Sequence, residues 1–275
     1  MGVRDLPLAT FFDIGTIDPA NPQDCVDKLS SRMVLTPLNE DVKMINRQAL
    51  ELFPGEGVQS VGINQLLDAE EDGEWGAVAT TEFMDSVDHA SIPDQDLQLK
   101  QGMMVMLLRN LAAQSGDCNG TRYIVTGIGS HSLGARRMSD GTEIIIPKLF
   151  LTPADIGIPF AMKRFQFPVR AAFDATINKT QGSTLERLGI WLRDSVFGQG
   201  QLYAALSRVG DPQKVVVGAL AAAYDSLCRI VTTMSSTRSC SRTPSFGALR
   251  RARGWCIDFL CMVFWPTCTV DLLSS

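Results

Sequence analysis

Residues 171–220, AAFDATINKTQGSTLERLGIWLRDSVFGQGQLYAALSRVGDPQKVVVGAL, constrain the fold more than any other stretch of this chain. AAFDATI and LGIWL are almost wholly apolar and read as buried strands separated by a polar turn. GQLYAALSRV reads as a helix, and KVVVGAL supplies one more strand after Asp211 and Pro212. The same alternation occurs earlier. RMVLTP gives a short buried strand, and NEDVKMINRQALELF follows with Val42, Ile45, Ala49 and Leu50 at helical spacing. Asn39 is a natural N-cap there, and Glu40 and Asp41 put negative charge where a helix N-terminus favours it. Buried strands alternating with helices at both ends specify an α/β domain.

The middle of the chain follows a different rhythm. LKQGMMVMLLRNL, RYIVTGIG, TEIIIPKLFLTP and FQFPV, between residues 99 and 170, are short strands at intervals of roughly 8 to 12 residues, the spacing of a small barrel or an elaborated sheet edge. Residues 54–98 are rich in acids and lack a long period, so they read as a surface loop with small pieces of structure. Residues 1–30 mix short apolar pieces with Asp, Pro and Asn and read as a linker or a remnant of an upstream domain. The expected organisation is therefore an α/β domain over 31–220 carrying an inserted barrel.

Charge and cysteine divide the chain at Leu220. The part up to that residue has a balance of −8 and the remainder +3, which together make the chain's −5. An acidic body confines any nucleic-acid contact to a local groove. Five of the seven cysteines lie beyond Leu220, and an odd, uneven set suits reduced thiols in an intracellular compartment, the nucleus if the source is eukaryotic and otherwise the cytoplasm. Cys25 and Cys118 alone make no metal site. Residues 221–275 rise in Cys, Ser, Arg and Trp and lose lysine altogether, the composition of a coding sequence read out of frame. A disordered or poorly packed tail is expected. The rival readings are a buried hydrophobic hairpin and a membrane anchor over 255–273; the anchor is disfavoured by Asp258, Asp271 and Pro266 within the span.

The chemistry concentrates in the polar turn and the helix after it. Gln201 and Arg208 are seven residues apart, about two helical turns, so both share a face while Leu202, Leu206 and Val209 can point to a core. Arg208 presents a forked, permanent cation suited to phosphate oxygens, or else simply ends a helix where a cation suits the dipole. Asn178, Lys179, Thr180, Gln181, Gly182, Ser183 and Thr184 are suited to phosphate and sugar contacts, or else only join two strands. No GK dipeptide occurs in the 275 residues, so the lysine of a phosphate-cradling loop is not in this sequence.

LTPLNEDVKMIN at 35–46, LKQGMMVMLLRNLAAQSGDCNGTRYIV at 99–125, ATINKTQGSTL at 175–185 and GQLYAALSRV at 200–209 occur in order, and the set resembles the C-terminal half of PIF-type (RecD-like, superfamily-one) DNA helicases, closest in flavour to those of Helitron transposons. The resemblance covers about residues 33–220. It implies a second RecA-like domain with an inserted Src-homology-three-type barrel near 118–165. It also implies ATP and Mg²⁺ shared with a first RecA-like domain, and 5′ to 3′ movement on single-stranded DNA. By resemblance Arg208 is the catalytic arginine finger; Lys179, Gln181, Gly182 and Gln201 couple to the nucleotide; and Thr176 and Thr180 touch DNA. Asn46 and Arg47 approach DNA or nucleotide, or else lie on an exposed helix face. Arg109, Asn119 and Arg122, with Lys100, can line a backbone-tracking groove. Tyr123, His131 and Phe167 are the nearest stacking candidates or else ordinary rings. Gln199 stands where the family often has histidine.

The expected function is thus the motor half of an ATP-dependent helicase acting in recombination, repair or transposition, inactive without its first domain. The alternatives are a stand-alone single-strand-binding module and a non-functional product of a decayed element. A membrane partner is not expected.

Overall fold

The computed structural model describes residues 7–67, 80–89, 91–153, 161–180, 184–193 and 199–219. In chain order the helices are α1 (Leu8–Phe11), α2 (Pro22–Leu29), α3 (Asn39–Leu52), α4 (Thr81–Ser86) and α5 (Gln199–Leu206). The first seven strands are β1 (Arg32–Thr36), β2 (Gly57–Val61), β3 (Ile63–Leu66), β4 (Asp96–Lys100), β5 (Met104–Leu107), β6 (Arg122–Ile128) and β7 (Ser132–Arg137). The remaining seven are β8 (Glu143–Pro147), β9 (Leu149–Leu151), β10 (Met162–Gln166), β11 (Val169–Ala171), β12 (Asp174–Thr176), β13 (Arg187–Leu192) and β14 (Val215–Ala219). The chain divides into two units, one drawn from Met1–Phe11, Ser31–Met44 and Asp174–Ser275, the other from Phe12–Ser30 and Ile45–Phe173.

The first unit is built on a parallel sheet in the order β12-β1-β13-β14. Parallel strands covered on both faces need continuous apolar runs rather than alternation, and β13 answers this with five successive buried residues from Leu188 to Leu192. Met33, Leu35, Leu188, Ile190 and Leu192 form a core with Leu202, Ala205 and Leu206 of α5 and with Val209. Each fully buried Leu or Ile there contributes about 1.5–3 kcal/mol of transfer free energy. The α/β expectation is met, including the inward side chains assigned to α5. Residues 221–275, where the sequence suggests a poorly packed tail, lie outside the described residues.

The second unit is antiparallel. Its largest sheet has the order β11-β5-β6-β7-β8, with a register shift between Val125 and Gly127 on β6; beside it in sequence are a three-stranded sheet, β3-β10-β9, and the pair β2-β4. The mixed parallel and antiparallel sheets give an α/β architecture, and among the described residues the five-stranded sheet shows no pairing between its end strands β11 and β8. Phe173 packs against Phe12 edge-on with centroids 5.5 Å apart and against Phe53 at 5.7 Å.

Residues 8–29 differ from the linker-like character their composition suggests. Asn21 caps α2 by accepting hydrogen bonds from the backbone N–H groups of Gln23 (3.1 Å) and Asp24 (3.3 Å), Pro22 opens the helix, and Cys25 and Leu29 are fully buried. An eight-residue helix with so few apolar residues carries too little period to be read. Gly102 marks where the chain closes on this segment: its φ is +78°, and a Cβ there would lie 2.7 Å from the Pro19 Cα.

Among its described residues, the acidic stretch after α3 carries the small pieces of structure expected of it: β2, β3, α4 and the start of β4. Thr80 caps α4 by accepting from the Phe83 N–H at 3.2 Å. Arg164 on β10, 1% exposed, fixes the other end of that helix. Its Nη2 donates to the carbonyls of Met84 (2.8 Å) and Val87 (3.1 Å), its Nη1 to Pro93 (3.0 Å) and its Nε to Asn64 Oδ1 (2.8 Å).

Candidate functional site: the polar turn and the arginine helix

Within the first unit, β12 carries the chain to Thr176, and a single 3₁₀ turn over Ile177–Thr180 follows. Thr176 is nearly buried and pairs in register with Thr36 of β1. The turn packs against α5, so two motifs separated by about twenty residues in sequence share one edge of the parallel sheet. Leu185, the first residue beyond the turn to regain strand pairing, bridges to Val209, and its N–H donates to the Arg208 carbonyl at 2.8 Å. That bond fixes the backbone of Arg208 to the strand side of the turn.

The Arg208 side chain is half-buried. Its Nε donates to the Ala204 carbonyl at 2.9 Å and its Nη2 to the Ser207 hydroxyl at 3.0 Å, while no carboxylate pairs with it among the described residues. This is a helix-ending cation in the dipole sense and also a guanidinium still available to an anion. α5 ends at Leu206, so Arg208 lies two residues beyond the helix rather than on it as the sequence spacing suggests. Gln201, on α5, has a buried Oε1 with no hydrogen-bond partner among the described residues; buried amide oxygens are nearly always satisfied, so an unmet acceptor there marks a polar position rather than plain core. Lys179 and Thr180 lie in the 3₁₀ turn; Gln181 and Gly182 lie outside the described residues.

Sequence reasoning misses an acidic feature beneath this edge. Asp174, which opens β12, and Asp41, in the first turn of α3, are each 1% exposed. Burial pushes the Asp174 carboxyl well above the usual carboxylate range, opposed in part by the Thr36 hydroxyl and the Ala175 N–H and reinforced by the charge of Asp41. Arg193, just after β13, places Nε 3.3 Å from Asp41 Oδ1 and Nη2 3.2 Å from Glu40 Oε2. The signal was an aspartate inside an apolar strand, which is rarely placed there without consequence.

The remaining nominated residues belong to the second unit. Asn46 is nearly buried on α3, while Arg47 is exposed and pairs with Glu51 at 3.2 Å, a surface pair of small energetic weight. Arg109 is exposed and its Nη1 reaches the Phe150 carbonyl at 3.5 Å. Asn119 is exposed in the turn before β6, its N–H held by Asn110 Oδ1 at 2.7 Å. Arg122 turns inward: its Nη2 donates to the Ser30 carbonyl at the end of α2 (2.9 Å), and burial pushes its pKa down. Lys100 donates to the Phe53 carbonyl at 2.6 Å. Of the rings suited to stacking, Tyr123 and Phe167 are buried and His131 is exposed.

Tyr123 belongs to a network that shapes this turn. Its hydroxyl donates to Asp117 Oδ1 at 2.5 Å, and the same oxygen accepts from Arg137, which also holds Asp140 at 2.7 Å and the Ser115 carbonyl at 2.7 Å. Burial alone would raise the Asp117 pKa, but the hydrogen bonds from Tyr123 and Arg137 outweigh it and hold the carboxyl below its ordinary value; the Tyr123 hydroxyl is pushed up to about 12 by burial and by Asp117. Among the described residues no cluster of three or more His, Cys, Asp or Glu can hold a metal ion. No helix among them is long and apolar enough to cross a membrane.

The first unit thus joins a parallel sheet, a polar turn and a helix in an α/β arrangement, and known proteins share this fold. Residues 82–128 match the family model for the DNA helicase Pif1 2B domain. The ATP-dependent DNA helicase PIF1 of Homo sapiens is 32% identical over 172 residues, 62% of this chain and 24% of that protein. PIF6 of Trypanosoma brucei brucei is 25% identical over 194 residues, 56% of this chain and 24% of that protein. Among solved structures, a Pif1 helicase studied for unwinding at forked duplex DNA superposes with a TM-score of 0.53 at 20% identity, covering 85% of this chain and 53% of that one. Bacteroides Pif1 bound to single-stranded DNA gives 0.52 at 21% identity, covering 84% of this chain and 53% of that one. Over part of its length the chain is thus similar to the Pif1-type DNA helicases. It spans about a quarter of the length of the curated relatives it matches.

Proposed function

We propose that this chain supplies the second motor half of an ATP-dependent, 5′ to 3′ DNA helicase of the Pif1 type, close to the Helitron helicases and serving recombination, repair or transposition. The observation that carries the reading is the packing of the 177–180 turn against α5, whose Ala204 carbonyl holds the Arg208 side chain two residues beyond the helix end. Both motifs respond to one event there: a nucleotide arriving at the arginine side alters α5, and α5 leans on the turn whose Thr176 and Thr180 meet the DNA backbone.

The residues fit the arginine side of a nucleotide site. Arg208 has no carboxylate partner among the described residues, and Gln201 carries an unmet acceptor on α5, the helix just before it. When bound between two domains, ATP supplies the phosphoryl group, and Arg208 offsets charge developing on its γ-phosphate; Lys179, Gln181 and Gly182 belong to the coupling element. No described carboxylate cluster suits Mg²⁺, which is assigned to the nucleotide's own phosphates and to the domain bearing the phosphate loop. The antiparallel strands within 118–165 correspond to the small inserted barrel of such motors, with Arg109 and Asn119 on its strand-tracking side.

The test is turnover. With single-stranded DNA but no phosphate-loop domain, this chain is expected to hydrolyse no ATP; turnover abolished by Arg208→Ala in a clean preparation would overturn that. Joined to the phosphate-loop domain of a Pif1-type helicase, the wild type is expected to hydrolyse ATP, and Arg208→Ala to lose about 10³- to 10⁵-fold in rate with single-strand affinity unchanged. Equal rates for both joined proteins refute the finger. The lack of a GK dipeptide favours, as second reading, a single-strand-binding module without turnover, and persistent inactivity of the joined protein together with DNA binding selects it.

A further inference from the structure

The rings available for stacking lie where the sequence does not announce them. In the three-stranded sheet, Phe165 of β10 is directly opposite both Ile63 of β3 and Phe150 of β9, so the three side chains form one row across the strands. The row faces outward: Ile63 is 59% exposed, Phe150 43% exposed and Phe165 half-buried, whereas Arg164, Gln166 and Leu151 at the alternate positions are buried. The Phe150 and Phe165 rings touch, with centroids 4.9 Å apart.

Cations gather round this pair. Lys163 holds its Nζ 4.6 Å from the centre of the Phe150 ring, Lys148, two residues before Phe150, holds its Nζ 5.1 Å from the centre of the Phe167 ring, and Arg109 reaches the Phe150 carbonyl. None of the three is paired with a carboxylate among the described residues, in a chain whose net charge is −5. An apolar protein surface would find an ammonium over the ring a hindrance. A nucleic-acid strand matches both features, since every base offers a π-face and every link a phosphate.

We propose that Phe150 and Phe165 form a base-stacking platform for single-stranded DNA, with Arg109, Lys148 and Lys163 on the flanking phosphates. The proposal rests on the single-strand reading above and adds two rings, Phe150 and Phe165, that lie outside the helicase motifs. Because stacking ignores base identity, binding there is sequence-tolerant; because the cations are exposed, it is salt-sensitive.

The experiment measures fluorescence anisotropy of the 275-residue chain with oligo(dT) and with an abasic oligonucleotide of equal length, which keeps the phosphates and lacks the bases. Wild type is expected to prefer oligo(dT). Phe150→Ala is expected to lose about 5- to 100-fold on oligo(dT) and almost nothing on the abasic strand, while Phe150→Trp retains affinity. Lys163→Gln is expected to flatten the log–log salt dependence by about 0.7. Photo-cross-linking with an oligonucleotide bearing 5-iododeoxyuridine is expected to label the peptide containing Phe150 or Phe165. If oligo(dT) binds equally to wild type and Phe150→Ala and cross-links fall elsewhere, the platform is overturned and the single-strand reading stands. If wild type binds neither strand at low salt, both fall together.

Discussion

Replacing Arg164 with methionine tests how the acidic stretch after α3 is held in place. The guanidinium meets four acceptors: one side-chain oxygen, on Asn64, and three backbone carbonyls, at Met84, Val87 and Pro93. Methionine matches much of the stem and removes every donor. An orphaned buried acceptor costs about 1–3 kcal/mol, so four of them set a loss of roughly 4–12 kcal/mol if nothing moves. Something can move. Three acceptors lie in residues 84–93, which can swing outward and recover water, and the variant also escapes the cost of burying a cation, visible as a guanidinium pKa pushed down by burial. These offsets bring the expected loss to about 3–4 kcal/mol. Urea denaturation of wild type and Arg164→Met gives the difference, and hydrogen exchange should show residues 80–95 losing protection before the rest. Arg164→Lys, able to restore only part of the fork, should fall between them. A loss below about 1 kcal/mol with unchanged exchange in that segment would refute the reasoning.

The buried acid in β12 makes a pH prediction. Because the folded pKa of Asp174 is raised, its contribution to stability is complete below the ordinary carboxylate pKa of about 3.9 and is lost as pH climbs towards the raised value. Asp174→Asn is therefore expected to stabilise the protein at pH 7–8 by thermal melting, with the advantage shrinking near pH 5; an advantage that grows on acidification refutes the assignment. Asn21→Ala removes the α2 cap and is expected to cost about 0.5–2 kcal/mol by urea denaturation, whereas Asn21→Asp keeps it. A neutral Asn21→Ala would show that α2 is held by Cys25 and Leu29 alone.

The parallel unit was legible because its strands are buried on both sides. Five consecutive buried residues in β13 admit few placements, and the spacing of Leu202 and Leu206 fixes the inward face of α5, although the helix stops short of Arg208. The antiparallel unit was legible only as a rhythm of short strands, since pairing order depends on contacts far apart in sequence, such as β10 meeting β3. Which rings face outward was not legible for the same reason. Tyr123 and Phe165 look alike in an alternating strand, and only register shows that the first is fully buried and the second shares an outward row with Phe150. Arg164 and Asp174 escaped because a charged residue in a strand looks like an outward one until its partners are known.

The division of the chain implies an order of assembly. Val34 of β1 pairs with Asp174, so the parallel sheet must close a loop of roughly 140 residues before its first two strands can meet. The antiparallel unit, by contrast, has all its described strands once Ala171 has been made. During synthesis β1 therefore leaves the ribosome as an apolar strand without a neighbour, and it waits while the later-named unit folds first. Interruption of translation just after Phe173 would release a chain with one finished unit and one sticky strand, the species a chaperone would be expected to meet.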